Sequence, residues 1–505
     1  MKKIIAMLIA LTMLLSLLSG CSGKNKAETS VQSDSRTLTY AISADVSDFN
    51  PYTSQLTQYV YFFTFNCYEP LFHLNADMEY EMDLATSYEQ IDDTTYNFKL
   101  REGVTFHNGE KFTAEDVIHT INYVKNPDNG SYKQGSFTNV TEVFANGDYD
   151  VTIKLSEPTP AFMDALAWLP ITCKSVDPAT EMTKPVGTGA FKFVSWTPND
   201  KIQLEKYDAY WDAERIHFDN VVIKPYTDYT LAINGLYAGD VDFISQMSVE
   251  QVESIDISKG VRACASNSSN HMYLFEVGLH NVEAFQDANV MKAMTLVLDK
   301  NAINEGLFAG MGKVPTSVFP SGAKYHEDVN TSTYNLEEAN ALMAASNYPN
   351  GFEFEIMVLS GDTTAEMAAV IWKQELAKIG ITMNINIAEM SVWLEAYLGR
   401  TYDMICNDYS MVGSDPATFC TVIIDPYADY QCKDMPELYE QIAIGASTTD
   451  DVVRQAAYSE IQNMIDVACP VISYAEAPNL AACVESLDGF TMNAMSHFFV
   501  KDATK

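Results

Sequence analysis

The chain has 505 residues, of which 47% are hydrophobic and 20% are charged, and this excludes a single small core and predicts at least two buried domains. Its net charge of −37 repels nucleic acid and anionic lipid surfaces. We therefore expect no nucleic-acid partner. We favour solubility over the steering of cationic ligands as the role of this charge.

The N-terminus carries an export signal. Lys2 and Lys3 precede an apolar stretch that is short for a membrane span and ends in Leu18-Ser19-Gly20-Cys21. These four residues resemble the lipobox of bacterial lipoproteins, in which the cysteine is lipidated and becomes the new N-terminus. The alternative is an ordinary signal peptide with an accidental cysteine. We predict a signal peptide over residues 1–20, lipidation of Cys21, and attachment to the extracytoplasmic face of the cell membrane of a single-membrane bacterium.

Residues 21–36 form the next segment, which is polar and has no aromatic residue. Such a composition predicts a flexible tether with a reach of roughly 20 Å. Folding is expected to begin near Leu38. Alternation of apolar and polar residues then predicts strands at Tyr96–Leu100, Asp150–Leu155, Lys201–Leu204 and Ile381–Ile387.

Helices alternate with these strands. Thr113 with Asp116, and Asn335 with Glu338, have the spacing of an N-cap residue and its acidic partner. The predicted helices run to Tyr123, over Ala339–Ala345, and over about Thr364–Ile379 before Gly380. Alternating strands and helices over this length predict an α/β architecture with more than one lobe.

Metal and disulfide motifs are sparse. Of the nine cysteines, none forms a C-x-x-C pair, and the eight histidines lack ligand spacing. His107 and His271 are expected to be hydrogen-bonded structural residues. Cys420 and Cys432 are close enough in sequence to form a disulfide in an exported protein, and buried free thiols are the alternative. We expect no metal and no cofactor.

Catalytic motifs are absent as well. Gly187-Thr188-Gly189 lacks the last glycine of a dinucleotide fingerprint and predicts a tight turn. Gly306–Lys313 is one residue too long for a phosphate loop, and Val314 stands where a metal-binding hydroxyl belongs. The sequence has neither G-x-S-x-G nor H-E-x-x-H. We predict that the protein is not an enzyme, with an exported hydrolase as a remote alternative.

A long series of motifs identifies a family. Asp83–Glu89, Asp93–Glu110 and Phe112–Val117 resemble the signature of family 5 extracellular solute-binding proteins, the peptide and oligopeptide receptors of ABC importers. Other landmarks of that family follow in order at Asp48–Pro51, Tyr68–Phe72, Gly187–Trp196, Tyr210-Trp211, Gly239–Phe243, Val290–Ile303, Asn335–Ala339 and Leu376–Ile381. Nearly the whole mature chain is covered.

The resemblance implies an α/β, bilobal, periplasmic-binding-protein-like fold of class II type, with an enlarged first lobe and a hinge crossed twice. It places lobe I at residues 37–274 and 480–505 and lobe II at residues 275–479, with crossings near Met272–Gly278 and Ala475–Ala482. It also implies a monomeric receptor whose lobes close around a solute, after which ABC transporter permease subunits recognise the closed form.

The resemblance further implies a set of ligand-contacting positions. They are Asn50, Ser245, Gln246, Met247, Tyr273, Phe275, Trp393, Arg400, Tyr409, Val412 and Asp415. Trp393 and Arg400 keep the seven-residue separation of the oligopeptide-binding relatives and suit stacking and carboxylate pairing. The alternative is that Trp393 belongs to the core and Arg400 to the solvated surface.

The sequence departs from the peptide-binding pattern near residue 412. Aligned on Asp415-Pro416, the position of the aspartate that binds a peptide amine is Val412, the usual tryptophan is Tyr409, and a carboxylate-binding arginine becomes Cys406. Asp408 or Asp415 then has to substitute if a free amine is recognised. Peptides are the expected ligands, with a sugar, a nickel complex or another small solute as the alternative.

Overall fold

The computed structural model describes residues 36–54, 57–330, 333–424 and 435–505. The signal peptide, Cys21 and all of the tether except Arg36 lie outside the described residues. Cys432 does too, and with it the Cys420–Cys432 pairing. Within the described part, the cysteines are free thiols.

The strands are numbered in chain order. They are β1 (Thr37–Ile42), β2 (Phe72–Leu74), β3 (Tyr80–Met82), β4 (Ala85–Asp92), β5 (Thr95–Leu100), β6 (Val140–Gly147), β7 (Asp150–Leu155), β8 (Phe191–Thr197), β9 (Lys201–Lys206), β10 (Asn220–Pro225), β11 (Phe243–Ser245), β12 (Val261–Ala265), β13 (His271–Val277), β14 (Glu353–Leu359), β15 (Thr382–Ala388), β16 (Met404–Ser410), β17 (Val471–Ala477), β18 (Leu480–Val484), β19 (Thr491–Met492) and β20 (Phe498–Phe499).

The α-helices are referred to by their bounds. They are Thr57–Asn66, Ala114–Lys125, Phe162–Ala167, Pro178–Glu181, Tyr229–Ala238, Val249–Glu253, Ala288–Leu296, Lys300–Phe308, Leu336–Ala345, Thr363–Ala377, Met390–Gly399, Ala417–Phe419, Pro436–Ser447 and Asp451–Ala468. None of the helices in the described ranges has the length and apolar character needed to cross a membrane.

Two of the predicted helix starts are confirmed. The Asp116 carboxylate accepts the backbone N–H of Thr113 at 2.9 Å, and the Asn335 side chain accepts the N–H of Glu338 at 3.1 Å. Both interactions satisfy backbone donors at a helix start, which explains why the helices begin there.

Among the described residues, the strands form two large sheets, a four-stranded sheet, and the two-stranded sheets β2-β3 and β19-β20. The first large sheet has the order β12-β18-β11-β1-β10-β9-β8, in which β1 runs parallel to β10 and β11. The second has the order β15-β14-β16-β13-β17, in which β14 runs parallel to β15 and β16. An antiparallel sheet, β4-β5-β7-β6, accompanies the first. We call the part built on the seven- and four-stranded sheets the first lobe and the part built on the five-stranded sheet the second lobe.

Both faces of strand β13 in the five-stranded sheet are buried. Along β13, Met272 and Leu274 pack into one hydrophobic cluster, while Phe275 and Val277 pack into another. Successive side chains of a strand point to opposite faces, so a strand covered on both sides is apolar almost throughout. This explains why Met272–Gly278 has the apolar character of a core strand.

The chain passes between the large sheets twice. β12 ends at Ala265 in the first sheet and β13 begins at His271 in the second, and β17 ends at Ala477 before β18 returns at Leu480. The second passage lies inside the predicted crossing at Ala475–Ala482. The first passage, at residues 266–270, precedes Met272–Gly278 because that segment is almost wholly β13. The boundary proposed between residues 274 and 275 therefore falls within a strand, and the lobe limits themselves stay a prediction.

Candidate ligand-binding site

A cavity of about 210 Å³ lies where the chain passes between the sheets. Its walls come from both lobes and from both passages. The lining residues are Tyr61, Trp168, Gln246, Asn270, His271, Ser410, Met411, Val412, Asn479, Ala494, Met495 and Ser496. Aromatic, apolar and amide side chains thus converge on one concave space, as in small-molecule sites generally.

Two other cavities have a different setting. One of about 360 Å³ lies beside β12 and residues 488–492, and one of about 240 Å³ lies around His73 and Lys501. Neither has a second-lobe residue in its lining: the smaller one is lined by first-lobe residues, and the larger one adds only Asn267 of the first passage. A ligand can favour one arrangement of two lobes only through contacts that differ between arrangements. The cavity shared by the lobes is therefore the candidate site.

Two predicted residues line this cavity, one from each lobe. Gln246 follows β11 in the first lobe, is exposed, and has a left-handed backbone with φ of 53°. Val412 follows β16 in the second lobe, and 57% of it is exposed. Asn270, in the first passage, donates from Nδ2 to the carbonyl oxygen of Gly413 at 2.5 Å. This hydrogen bond fixes the loop that carries Val412.

The second-lobe rim of the cavity carries a polar pair. His271 Nε2 lies 2.7 Å from Asp408 Oδ2, and the His271 ring stacks on Tyr273 with centroids 4.7 Å apart. Burial raises the pKa of Tyr273 to about 12, so its phenol stays neutral. The Asp408 carboxylate thus contacts a side chain that lines the cavity, His271.

Asp415 forms a buried ion pair inside the second lobe. Its Oδ1 lies 2.7 Å from Nη2 of Arg454, and both side chains are about 5% exposed or less. Arg454 Nε also donates to the carbonyl oxygen of Gly445 at 2.9 Å. A buried carboxylate already neutralised by a guanidinium has little to gain from a ligand ammonium. Of the two candidate substitutes for the amine-binding aspartate, the geometry favours Asp408.

A first-lobe carboxylate joins the lobes beside the cavity. Asp164 Oδ2 accepts the backbone N–H groups of Ser414 and Asp415, each at 2.6 Å, and Oδ1 accepts the hydroxyl of Tyr80 at 2.6 Å. Gly413 has φ of +97°, and a Cβ there would lie 2.4 Å from Asp164 Oδ2. Successive N–H groups in such a turn form an anion-binding concavity. Burial raises the pKa of Asp164, and the nearby charge of Asp415 raises it further.

Trp393 and Arg400 form a cluster around Tyr397. The Trp393 and Tyr397 rings stack with centroids 4.9 Å apart, and the Arg400 guanidinium lies 4.9 Å from the Tyr397 centroid. Trp393 is half-buried, and its Nε1 finds no hydrogen-bond acceptor within the described residues. None of these three residues lines the cavity. The role of the cluster in ligand binding stays a prediction.

Three of the predicted positions are interior. Ser245 Oγ shares a hydrogen bond with the Tyr40 hydroxyl at 2.6 Å, and Met247 packs in a first-lobe core. Phe275 is 0% exposed, and its ring stacks on Trp372 with centroids 4.7 Å apart. These side chains support the lobes and do not line the cavity.

The remaining predicted positions also lie off the cavity. Asn50 is buried beside Glu181 at a separate small cavity. Tyr409 packs edge-on against Phe419 with centroids 5.2 Å apart. Cys406 is buried, which raises the pKa of its thiol well above the usual range, so it does not replace the charge of an arginine.

Several lining residues carried no sequence signal. Trp168, Asn270, Asn479 and Ser496 lie in loops between elements, where no periodicity marks the side chain that faces a cavity. Only the tertiary fold brings them together.

Comparison with known proteins identifies the family. The model for bacterial extracellular solute-binding proteins, family 5, middle region, matches residues 79–430. The glutathione-binding protein GsiB of Pectobacterium atrosepticum is 26% identical over 464 residues, which cover 86% of this chain and 88% of that protein. HbpA2 from Haemophilus parasuis has a TM-score of 0.82 at 21% identity, covering 93% of this chain and 99% of that one. The murein tripeptide-binding protein MppA, in its unliganded open form, has a TM-score of 0.82 at 16% identity, covering 93% and 97%.

The fold is thus that of the bilobal α/β binding proteins. The chain belongs to the family 5 extracellular solute-binding proteins, whose members bind solutes for ABC transporters.

Proposed function

We propose that this protein is a lipid-anchored receptor that binds short peptides between its lobes and delivers them to the permease of an ABC importer. Acylated Cys21 holds it at the extracytoplasmic face of the membrane, and it acts as a monomer without chemical change to the ligand. The names of two relatives, a glutathione-binding protein and a murein tripeptide-binding protein, favour short peptides and related compounds.

The observation that carries the proposal is the position of the cavity. It is bounded by Gln246 in the first lobe, by Val412 in the second, and by Asn270 and Asn479 in the two passages. A ligand bound there contacts both lobes and the segments about which they turn. Its binding free energy is then available to favour the closed arrangement.

The charges around the cavity suit a peptide amine on the second-lobe side. Asp408 is half-exposed and bonded to His271, while Asp415 is already paired with Arg454. An ammonium near His271 gains a charge-assisted interaction with the Asp408 carboxylate. This assignment makes Asp408 the substitute for the aspartate that Val412 replaces.

A non-peptide solute is the second candidate. Val412 presents an apolar surface to the cavity, and Cys406 is a buried, uncharged thiol. Both residues stand where peptide-binding relatives are expected to hold charged groups. A sugar or another neutral solute does not need those charges.

Thermal unfolding of the mature protein with different ligand classes tests the proposal. A ligand that binds only the folded state stabilises it by about 2.7 kcal/mol at a concentration of 100 Kd. We expect a rise in Tm with tripeptides and glutathione, and a smaller rise with N-acetylated tripeptides. A rise with sugars or nickel complexes and none with peptides contradicts the peptide assignment.

A further inference from the structure

Lys133 is a buried lysine next to the cavity that has no acidic partner among the described residues. Lys133 is 3% exposed, and its Nζ has no hydrogen-bond partner among the described residues. Nζ lies 2.9 Å from the ring centroid of Trp168, which lines the cavity. Burial lowers the pKa of Lys133 well below its usual range. A buried amine without a hydrogen-bond acceptor is costly. The chain has 68 acidic residues, and yet none of those described accepts a hydrogen bond from Lys133 Nζ.

A second unpartnered nitrogen lies close by. The side-chain oxygen Oδ1 of Asn493 accepts the N–H groups of Met495 and His497, so Nδ2 of the same side chain is oriented to donate to His497 Nδ1 at 3.2 Å. His497 is therefore protonated on Nε2, a buried donor that has no acceptor within the described ranges. Burial lowers the pKa of His497 well below its usual range, and the neighbouring Lys133 lowers it further.

Both side chains pack against residues that line the cavity. The His497 ring packs edge-on against Tyr61 with centroids 4.8 Å apart, and Tyr61 and Ser496 line the cavity together with Trp168. A protonated Lys133 ammonium and the His497 Nε2–H are both hydrogen-bond donors, and an anion that bears several lone pairs can accept from both and favours the charged form of the lysine.

We propose that Lys133 Nζ and His497 Nε2 form an anion subsite that holds a carboxylate of the bound solute on the first-lobe side of the cavity. The inference rests on the proposed function, because it assigns an orientation to the same ligand. The carboxylate lies toward Trp168 in the first lobe and the amine toward Asp408 in the second. A zwitterionic peptide then contacts both lobes through its two ends.

Substitution of Lys133 by methionine tests the subsite. Methionine keeps the length of the side chain and removes the charge, so we expect Kd for trialanine and for glutathione to rise about tenfold or more. The Tm of the unliganded protein is expected to stay the same or rise, because an unpaired buried amine is removed. A merely structural lysine predicts a lower Tm and an unchanged Kd.

Trialanine amide supplies the specific readout. With the wild-type protein, the amide is expected to bind about tenfold more weakly than trialanine, and with Lys133→Met the two are expected to bind equally. Lys154→Met is the matched control, since the Lys154 ammonium pairs with Glu142 on the surface of the same lobe. It is expected to change neither Kd nor the ratio between acid and amide.

The outcomes separate the two proposals. If the wild-type protein binds neither trialanine nor glutathione, the peptide assignment fails and the subsite falls with it. If the wild-type protein binds them and Lys133→Met binds acid and amide with the same preference as before, only the subsite is overturned.

Discussion

The hydrogen bonds from the loop at residues 413–415 to Asp164 give the most quantitative prediction. Asp164→Ala removes the acceptor for the N–H groups of Ser414 and Asp415, and both are buried. Each buried donor left without an acceptor costs about 1–3 kcal/mol, so the alanine variant is expected to lose about 2–6 kcal/mol of stability. The interlobe contact is lost at the same time.

Asp164→Asn separates hydrogen bonding from charge. Its amide oxygen can replace Oδ2 as the acceptor of both N–H groups, while its amide nitrogen can donate to the Tyr80 hydroxyl, which now accepts. The asparagine variant loses only the charge assistance, about 1 kcal/mol. The raised pKa of Asp164 agrees with this small loss, because burial already disfavours the charged form.

Urea unfolding followed by tryptophan fluorescence measures the difference, with the midpoint of the first transition as the readout. The exposed Asp208 is the control, and Asp208→Ala is expected to change stability by no more than about 0.5 kcal/mol. An unchanged midpoint for Asp164→Ala would refute the reasoning. An asparagine variant as unstable as the alanine variant would also refute it, because the charge of Asp164 would then contribute more to stability than its hydrogen bonds to the turn.

Three further predictions concern single residues. Trp393→Ala is expected to raise Kd for a bound peptide about three- to tenfold with little change in the Tm of the unliganded protein, whereas a large loss of Tm would assign Trp393 to the core. Val412→Asp adds a carboxylate at the cavity, so calorimetry should show a stronger preference for free over N-acetylated tripeptides, and an unchanged ratio would remove residue 412 from the site. Burial raises the pKa of Glu181 from 4.5 to about 7, so its contribution to stability is full below pH 4.5 and is lost as pH rises through 7. Glu181→Gln should therefore gain stability relative to wild type between pH 5 and 8, by ~3 kcal/mol at the upper end, and a pH-independent difference in urea unfolding would contradict this.

Local signals in the sequence predicted the regular elements well. Strand β7 has the predicted bounds, and the helix at Thr363–Ala377 lies within two residues of its predicted limits. Gly380, with φ of +83°, separates that helix from β15 as expected for a residue with a left-handed backbone. Periodicity and capping depend on neighbours in sequence, so they can be recognised in one chain.

The site was only partly predictable. The alternation in β13 assigns Phe275 to one face of the strand, but the packing of Trp372 against that face is what makes it core. Lys133, in a polar loop, resembles an ordinary surface lysine until the fold buries it against Trp168. The contact of Asp164 with Ser414 joins residues 250 positions apart. Such contacts depend on tertiary structure and leave no local pattern.

A crystal structure of the mature protein with the ligand that it retains through purification tests the central claim most directly. The account predicts a peptide between the lobes, with its amine toward Asp408 and its carboxylate toward Lys133. A ligand bound in a cavity of one lobe alone, or a solute without a carboxylate in the shared cavity, would contradict it.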